Sequence, residues 1–237
     1  MGLMEISPGV EIIRTALWLK REETIIINDL HVGYEEALHH RGVLVPRFQL
    51  QDIVKELKLI LEQSKPRKVI INGDLKHEFG TILRREWKEV LELLDFLLGF
   101  GLEVIIIQGN HDPIIRPLAE KRGIRVVKEY SLGDILIVHG DELVEQRKKV
   151  KTIIIGHEHP AIIIKEGAKR EKFKCFLKGK WQKKELLVMP SFNPLLEGTD
   201  VLKGDLLSPF LRKIDDFEIF VVGEKEVLEF GKAGMLK

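Results

Sequence analysis

Aspartate, histidine and asparagine recur in five short clusters along the first two thirds of the chain. The clusters are Asp29-x-His31, Gly73-Asp74, Gly109-Asn110-His111-Asp112, His139-Gly140 and Gly156-His157-Glu158-His159. Carboxylate, amide and imidazole ligands without a thiolate suit Mn, Fe, Zn, Co or Ni better than Mg alone. Together the clusters predict a site for two divalent metal ions, in which one carboxylate bridges the ions and offsets their repulsion.

Each cluster also has a structural interpretation. Asp-x-His recurs by chance, Gly-Asp is ordinary turn chemistry, and Gly-His-Glu-His also occurs in loops. Asp112 before Pro113 would be a good helix N-cap with proline at the first helical position, and we expect it to have that role whatever else it does. The metal interpretation is favoured because all five clusters follow candidate strands in one order.

The strands that must position these clusters are short runs rich in Ile and Val, which are typical of buried strands. The runs are Thr24–Asn28, Lys68–Asn72, Glu103–Gln108, Asp134–Val138 and Thr152–Ile155. In open α/β sheets, sites form beyond the carboxyl ends of the strands. The five strands therefore should bring their clusters to one edge, where the glycines let the backbone approach the ions closely.

Helical patterns lie between the strands. One apolar face runs from Leu50 to Leu61, and a second runs from Trp87 to Leu98, with Gly101 placed where that helix would end. A shorter helix is predicted to begin at Asp112 and to end before Gly123. Alternation of strand and helix predicts an α/β core.

The C-terminal third has a different pattern, which predicts a second, antiparallel or mixed sheet packed on the first. Two hairpins are expected in it: Phe173–Leu177 with Trp181–Val188 around Gly179, and Phe217–Val222 with Glu226–Phe230 around Gly223-Glu224.

Length and composition favour a single domain over residues 1–237, with 44% hydrophobic residues for its core. The net charge of +1 gives no global attraction to nucleic acid or acidic membranes.

The single cysteine, Cys175, excludes a disulfide framework within the chain and a cysteine-rich zinc site. No signal peptide or membrane-spanning run is recognised, so we expect a cytoplasmic protein. Many Lys, Glu and Ile residues with few Cys and Met favour a thermophilic source.

In their order, the five clusters resemble the motif series of the calcineurin-like metallophosphoesterases, over roughly residues 24–160. The segments GDLKHEFG (Gly73–Gly80) and GVLVPRFQ (Gly42–Gln49) resemble a narrower group. That group comprises archaeal phosphoesterases related to SbcD-type nucleases and to a bacterial nuclease that accompanies DNA ligase and helicase genes. The resemblance implies an α/β/β/α sandwich, in agreement with the two sheets predicted above.

The resemblance also implies a role for each matching residue. Asp29, His31 and His159 would hold the first metal ion, Asn110, His139 and His157 would hold the second, and Asp74 would bridge them. His111 would be the general acid near the leaving group, and Asp112 would orient its ring. Two ions, with Mn²⁺ the first candidate, would produce a bridging hydroxide that attacks the phosphate ester. Diester cleavage is favoured, with a nuclease as the leading specific function.

Two other kinds of function stay open at this point. A small-molecule phosphodiesterase or phosphomonoesterase would need the same ligands. A metal-binding interaction module without turnover is an alternative of another class, although such a module would usually lack a ligand or the acid. The sequence carries no Gly-x-Ser-x-Gly elbow, P-loop or dinucleotide fingerprint.

Several polar segments have two interpretations. His39, His40 and Arg41 are more typical of a solvated loop or helix end than of a phosphate contact, whereas for His77 and Glu78 both interpretations weigh equally. The basic segment Lys169–Lys184, with its interleaved aromatic residues, could bind single-stranded nucleic acid. We favour an ordinary hairpin whose lysines protect an edge. Pro190–Asn193 could loop toward the site, and the edge strands or C-terminal hairpins could form a homodimer.

Overall fold

The structure, a computed structural model, describes residues 2–79, 83–145, 147–167 and 169–236. Its first sheet has seven strands in chain order, antiparallel from the first to the fourth and parallel from the fourth to the seventh. They are β1 (Met4–Ser7), β2 (Val10–Ile13), β3 (Ala16–Leu19), β4 (Thr24–Asn28), β5 (Lys68–Asn72), β6 (Glu103–Ile107) and β7 (Arg125–Val127). Asn28 pairs with Asn72 and Asn72 with Ile107, so the carboxyl ends of three parallel strands are level.

The second sheet has nine strands, with the order β14-β11-β12-β13-β10-β9-β8 and with β15 and β16 attached through β12. The strands are β8 (Glu129–Leu132), β9 (Ile135–Val138), β10 (Thr152–Ile155), β11 (Pro160–Glu166), β12 (Lys169–Trp181), β13 (Lys184–Val188), β14 (Thr199–Asp200), β15 (Glu218–Val222) and β16 (Val227–Lys232). β9, β10 and β13 run parallel to one another.

Four helices accompany the sheets: α1 (Tyr34–His40), α2 (Gln49–Ser64), α3 (Arg84–Gly99) and α4 (Arg116–Glu120). α2 and α3 pack on the outer face of the first sheet, where Leu57 and Leu94 contribute to the same core as Ile71. Within the described residues, no helix combines the length and apolar character needed to cross a membrane.

Strand alternation explains how one sheet can be buried on both faces. Ile25 and Ile27 belong to the core under the helices, whereas Ile26 belongs to the core between the sheets, with Ile154 and Leu187 of the second sheet. Successive side chains of a strand point to opposite faces, so an uninterrupted aliphatic run serves two layers. The two-sheet α/β prediction is confirmed.

The outer face of the second sheet is covered by residues 201–217, which include one 3₁₀ turn, Val201–Lys203. Phe210, Ile214 and Phe217 form a core with this face. This layer is a largely irregular segment where the resemblance implied helix. The reason lies in the sequence, since Gly204 ends the turn with a φ of 87° and Pro209 cannot donate a helical hydrogen bond.

The first predicted hairpin forms, but its turn is not at Gly179. That residue lies within β12, and the turn is at Gln182-Lys183, whose φ values are 47° and 70°. A Cβ atom at Gly179 would lie 2.4 Å from Cγ of Phe217, so the glycine permits close packing in a strand. β12 pairs with β11 along Lys169–Lys174, with β15 along Cys175–Lys178 and with β13 along Leu177–Trp181. Among the described residues, the lysines before Cys175 therefore have a paired strand on one side only.

Two further differences concern short elements. β1, β2 and β3 were not predicted, because four-residue strands separated by tight turns give little periodicity. The helix expected from Asp112 begins at Arg116 instead, with Ile115 as its N-cap. Asp112 does not cap it, because its carboxylate accepts hydrogen bonds from backbone N–H groups of other loops.

Candidate metal centre

The predicted ligands lie at the carboxyl ends of strands from both sheets. Asp29 directly follows β4, and His139 directly follows β9. Asp74 and Asn110 come shortly after β5 and β6, while His157 comes shortly after β10. The two parallel parts of the sandwich therefore end at a common site.

The backbone at five of these positions has a positive φ, which residues other than glycine rarely adopt. The values are 48° for Asp29, 43° for His31, 34° for Asp74, 63° for His157 and 49° for His159. Such conformations cost about 1–3 kcal/mol each and persist only where surrounding contacts enforce them. Strained residues concentrated at one site indicate that side-chain placement was favoured over local stability.

One group of potential ligands consists of Asp29, His31 and His159, whose ligand atoms all lie within 4.8 Å of one another. Nε2 of His159 is 3.0 Å from Oδ2 of Asp29 and 3.4 Å from Nε2 of His31. This is the set that the resemblance implied for the first metal ion.

A second group consists of Asp74, His139 and His157, again within 4.8 Å. Nδ1 of His157 lies 3.2 Å from Nε2 of His139, and Oδ1 of Asn110 lies 2.9 Å from the same nitrogen. The structure thus brings Asn110 to the ligands with which it was predicted to act.

The Asp74 carboxylate, a member of the second group, also faces the first. Its Oδ2 atom is 3.7 Å from Nε2 of His31 and 3.4 Å from Nε2 of His139. Its Oδ1 atom accepts a hydrogen bond from the backbone N–H of His111 at 2.9 Å. One oxygen therefore faces both groups, while the other fixes the carboxylate plane.

Burial and charge act against each other in this cluster. Burial by itself would raise the pKa of Asp74, but the hydrogen bond from His139 and nearby imidazoles hold it well below its usual value. Burial likewise disfavours the charged form of His139, yet Asp74 and Asp29 raise its pKa to about 9. Burial and the neighbouring His159 lower the pKa of His31 to about 3. The carboxylates stay ionised, and their charge attracts cations.

The donor set fits transition-metal ligation. The two nitrogen–nitrogen distances of 3.2 and 3.4 Å bring imidazole nitrogens together beside ionised carboxylates. Oδ1 of Asp29 is buried and has no hydrogen-bond partner in the described part of the chain, although Nδ1 of His139 lies 3.4 Å from it. Buried polar atoms are normally hydrogen-bonded, so a carboxylate oxygen without a hydrogen bond inside a ligand cluster is consistent with a cation site. The residues present can hold two ions of the kind predicted.

His111 lies beside the first group, with its ring centroid 5.0 Å from that of His31. Its Nδ1 atom lies 2.5 Å from the backbone carbonyl of His77. A carbonyl only accepts, so Nδ1 carries the hydrogen in this contact. The ring is therefore oriented by His77, one of the two residues whose role the sequence left open.

Asp112 makes different contacts from those implied. Its carboxylate accepts from the N–H groups of Leu75, Lys76 and Gly109 at 3.0, 3.2 and 3.3 Å. Burial and the charge of Asp74 raise the pKa of Asp112 to about 7, although the three hydrogen bonds by themselves would lower it. Through these bonds Asp112 ties the loop after β5 to the loop after β6.

Two glycines permit the close approach that the sequence predicted. A Cβ atom at Gly73 would lie 1.9 Å from Nδ1 of His139, and one at Gly109 would lie 2.2 Å from Oδ1 of Asp74. Any larger residue at either position would displace a ligand.

Several residues that support the site were not predicted. Asn28 donates to the Asp29 carboxylate and accepts from Asn72 at 3.2 Å. Both asparagines are fully buried. An amide at the last position of an otherwise aliphatic strand is the signal that could have revealed them.

The backbone around His31 has two further supports. Gln49 donates to the carbonyl of His31 at 2.8 Å, and Asn193 donates to it at 3.3 Å. Ser191 donates to the carbonyl of Asp29 at 2.7 Å. The segment Pro190–Asn193 does reach the site, and it acts there through the backbone of the ligand loops.

His39 and Glu158, two of the remaining polar residues, form hydrogen bonds with backbone groups of other segments. His39 contacts the carbonyl of Val45 at 2.7 Å at the end of α1, in agreement with the helix-end interpretation. Glu158 accepts from the N–H groups of Leu207 and Ser208 and so holds the outer layer of the second sheet.

The aromatic residues of the basic segment are engaged in the cores of the protein. Phe176 is fully buried, and Trp181 packs on Phe210 with centroids 4.9 Å apart. This agrees with an ordinary hairpin and leaves these rings unsuited to stacking on bases.

The chain belongs to the calcineurin-like phosphoesterase family, whose model matches residues 23–161, more than half of the chain. It is therefore a metal-dependent phosphoester hydrolase. The crystal structure of the Pseudomonas putida nuclease MPE is similar with a TM-score of 0.66 and 17% identity, over 93% of this chain and 94% of that chain. The E. coli phosphoesterase YfcE is similar with a TM-score of 0.42 and 14% identity, over 88% and 98% of the respective chains. No similar sequence was found among curated proteins.

Proposed function

We propose that the chain is a phosphodiesterase that uses two divalent metal ions, with Mn²⁺ the first candidate, and that it acts on nucleic acid. The observation that carries this proposal is the position of Oδ2 of Asp74, which is 3.7 Å from His31 and 3.4 Å from His139, one member of each ligand group. A carboxylate oxygen between two donor sets suits ions about 3.5–4 Å apart.

The first ion would be held by Asp29, His31 and His159, the second by Asn110, His139 and His157, and both by Asp74. When bound, the ions would supply Lewis-acid chemistry, by acidifying water and neutralising phosphate oxygens. The protein contributes the fixed positions of the ligands, which hydrogen bonds to their carbonyls and carboxylates maintain.

His111 would donate a proton to the leaving oxygen. Because its Nδ1–H is engaged with the carbonyl of His77, Nε2 is the nitrogen that exchanges a proton with the substrate. The phosphorus–oxygen bond to the leaving group breaks, water supplies the new oxygen on phosphorus, and the leaving oxygen takes the proton from Nε2. A positioned acid contributes most when the leaving group is a poor one.

A preference for diesters is supported by the charge next to the second group. A cleft of about 700 Å³ borders His139, and its lining includes the carboxylates of Glu129, Asp141, Glu142 and Glu145 against two cations, Lys128 and Arg147. Negative charge beside the site disfavours a dianionic monoester more than a monoanionic diester.

Nucleic acid as the substrate is supported by similarity. The Pseudomonas putida nuclease shares the fold over 94% of its length. The resemblance of Gly73–Gly80 and Gly42–Gln49 to SbcD-related phosphoesterases agrees with this choice. Phe176 is buried and Trp181 packs on Phe210, so base stacking on the basic segment is not part of this proposal.

The test compares three substrates in one Mn²⁺ buffer: bis(p-nitrophenyl) phosphate, p-nitrophenyl phosphate and single-stranded DNA. We expect the diester and the DNA to be cleaved faster than the monoester, and a chelator to stop all three reactions. Asp74→Asn should reduce the rates to background, whereas Asp134→Asn, which changes an exposed carboxylate paired with Lys151, should not. Equal inactivity with Mn, Zn, Ni, Co and chelator would contradict the proposal.

A further inference from the structure

One exposed aromatic ring beside the metal centre has no role in the function proposed above. Phe79 is 56% exposed and lies in the loop that follows β5. Its ring centroid is 4.4 Å from that of His111, with 60° between the ring planes. The ring therefore borders the proposed acid and also presents a surface to solvent.

The backbone leading to Phe79 is held by a buried ion pair. Nζ of Lys76 lies 3.5 Å from Oε2 of Glu86, and their side chains are 0% and 1% exposed. Lys76 also donates to the carbonyl of Glu78, while Oε1 of Glu86 accepts from the N–H groups of His77 and Glu78 at 2.9 and 2.7 Å. An exposed ring on a fixed backbone loses less conformational entropy on binding than one on a mobile loop.

Phe79 also ends a row of rings. Tyr34 lies 4.8 Å from His77, and His77 stacks on His111 at 5.6 Å with 23° between the planes. A flat aromatic group that entered next to His111 would meet the face or edge of Phe79. Among the described residues, the lining of the cleft beside His139 contains no aromatic ring other than that imidazole, so the aromatic border of the site is the one next to the acid.

We infer that Phe79 is a specificity-determining residue, which stacks on an aromatic group carried by the leaving alcohol of the phosphate diester. This inference rests on the proposed function, because it requires a diester whose leaving oxygen is at His111. In nucleic acid the aromatic group would be a base of the leaving strand, and stacking of a base on a side chain is tolerant of sequence.

The test uses two diesters whose leaving alcohols have similar acidity, methyl phenyl phosphate and methyl hexafluoroisopropyl phosphate. Phe79→Leu, which removes the ring but keeps an apolar side chain, should lower kcat/KM for the phenyl diester about 5- to 150-fold. The value for the fluoroalkyl diester should change less than about threefold, because no ring is lost to stacking there. Phe79→Tyr should preserve the wild-type ratio.

Phe100→Leu is the matched control. Phe100 is 45% exposed and directly follows α3, just before β6 begins, and so lies at the end of the first sheet away from the ligands. Equal losses of kcat/KM on both diesters would identify a packing role of Phe79 against His111 and would overturn the inference. No loss on either diester would also overturn it. Wild-type protein that cleaved neither diester with Mn, Zn, Ni or Co would overturn the proposed function, and this inference with it.

Discussion

At the scale of single residues, the role of each histidine depends on which partners its two ring nitrogens contact. Nδ1 of His111 faces the carbonyl of His77, which leaves Nε2 for the substrate. In His139 and His157, facing nitrogens lie 3.2 Å apart, an arrangement that suits a shared cation. Identical side chains thus have different chemistry because the backbone around them differs.

We expect His111→Ala to keep its metal ions and to lose turnover selectively. On a diester with an alkyl leaving group, kcat should fall about 100- to 10,000-fold, the range typical of a positioned acid. On a p-nitrophenyl diester the loss should be smaller, since p-nitrophenolate departs without a proton. Steady-state kinetics on both substrates and calorimetric metal titration measure the two effects.

His40→Ala serves as the control for this experiment, because the His40 side chain is 68% exposed at the end of α1. Wild-type kcat of His111→Ala on the alkyl diester would remove His111 as the acid. Loss of metal binding would instead assign His111 a part in holding the ions.

Residue types and order predicted which side chains would meet, because strand ends of a parallel sheet converge. They could not predict the partners of Asp112, which depend on how two loops fold against each other. Nor could they predict that Ser191 donates to the carbonyl of Asp29, since the two are 162 positions apart. Contacts that distant follow only from the packing of the second sheet on the first.

At the scale of elements, β12 connects the second sheet with the metal centre. Lys174 on β12 donates to the carbonyl of Ser191 at 2.8 Å and to that of Asn193. These two residues in turn donate to the carbonyls of Asp29 and His31. A lysine on a strand thus fixes two ligand loops through one intervening segment.

Lys174→Met should weaken metal binding although Lys174 is not a ligand. It leaves two carbonyls without their donor, and supports of this kind typically change metal affinity about 10- to 100-fold. Calorimetric titration with Mn²⁺ measures the affinity, and urea unfolding of the metal-free protein measures any loss of stability, expected at about 1–3 kcal/mol.

Lys178→Met is the control, because Lys178 lies on the same strand and is paired with Glu218; this variant should bind metal normally. Unchanged affinity in Lys174→Met would show that the segment holds its position without the lysine.

The elements that the sequence predicted well are those with long or uninterrupted apolar patterns. The faces from Leu50 to Leu61 and from Trp87 to Leu98 correspond to α2 and α3. Gly179 misled the hairpin prediction, because glycine permits both turns and close packing, and only the position of Phe217 distinguishes them.

At the scale of the whole molecule, the proposed ligands follow strands of two sheets. Asp29, Asp74 and Asn110 follow strands of the first sheet, while His139 and His157 follow strands of the second. Ions bound here would join the sheets at one end of the sandwich. The packed aliphatic residues between the sheets, such as Ile26 and Ile154, provide the rest of the contact.

Metal binding should therefore protect Cys175, the single cysteine, from thiol reagents. Cys175 is fully buried on β12, and burial raises the pKa of its thiol, so labelling requires unfolding. An ion present at 100 times its Kd stabilises the native state by about 2.7 kcal/mol, which slows labelling about 100-fold. Labelling followed with and without Mn²⁺ measures this, and added chelator should restore the faster rate. A rate independent of metal would mean that the ions do not stabilise the fold.

The left-handed backbone of five ligand residues has a consequence for how this site could change over evolutionary time. Glycine or asparagine would relieve the strain at Asp29, His31 or His159 while abolishing metal binding. A descendant released from selection for catalysis would therefore gain stability by losing its ligands, and these strained positions would be among the earliest to be replaced. If the proposed ligand set is correct, continued selection for metal chemistry is what maintains these strained residues.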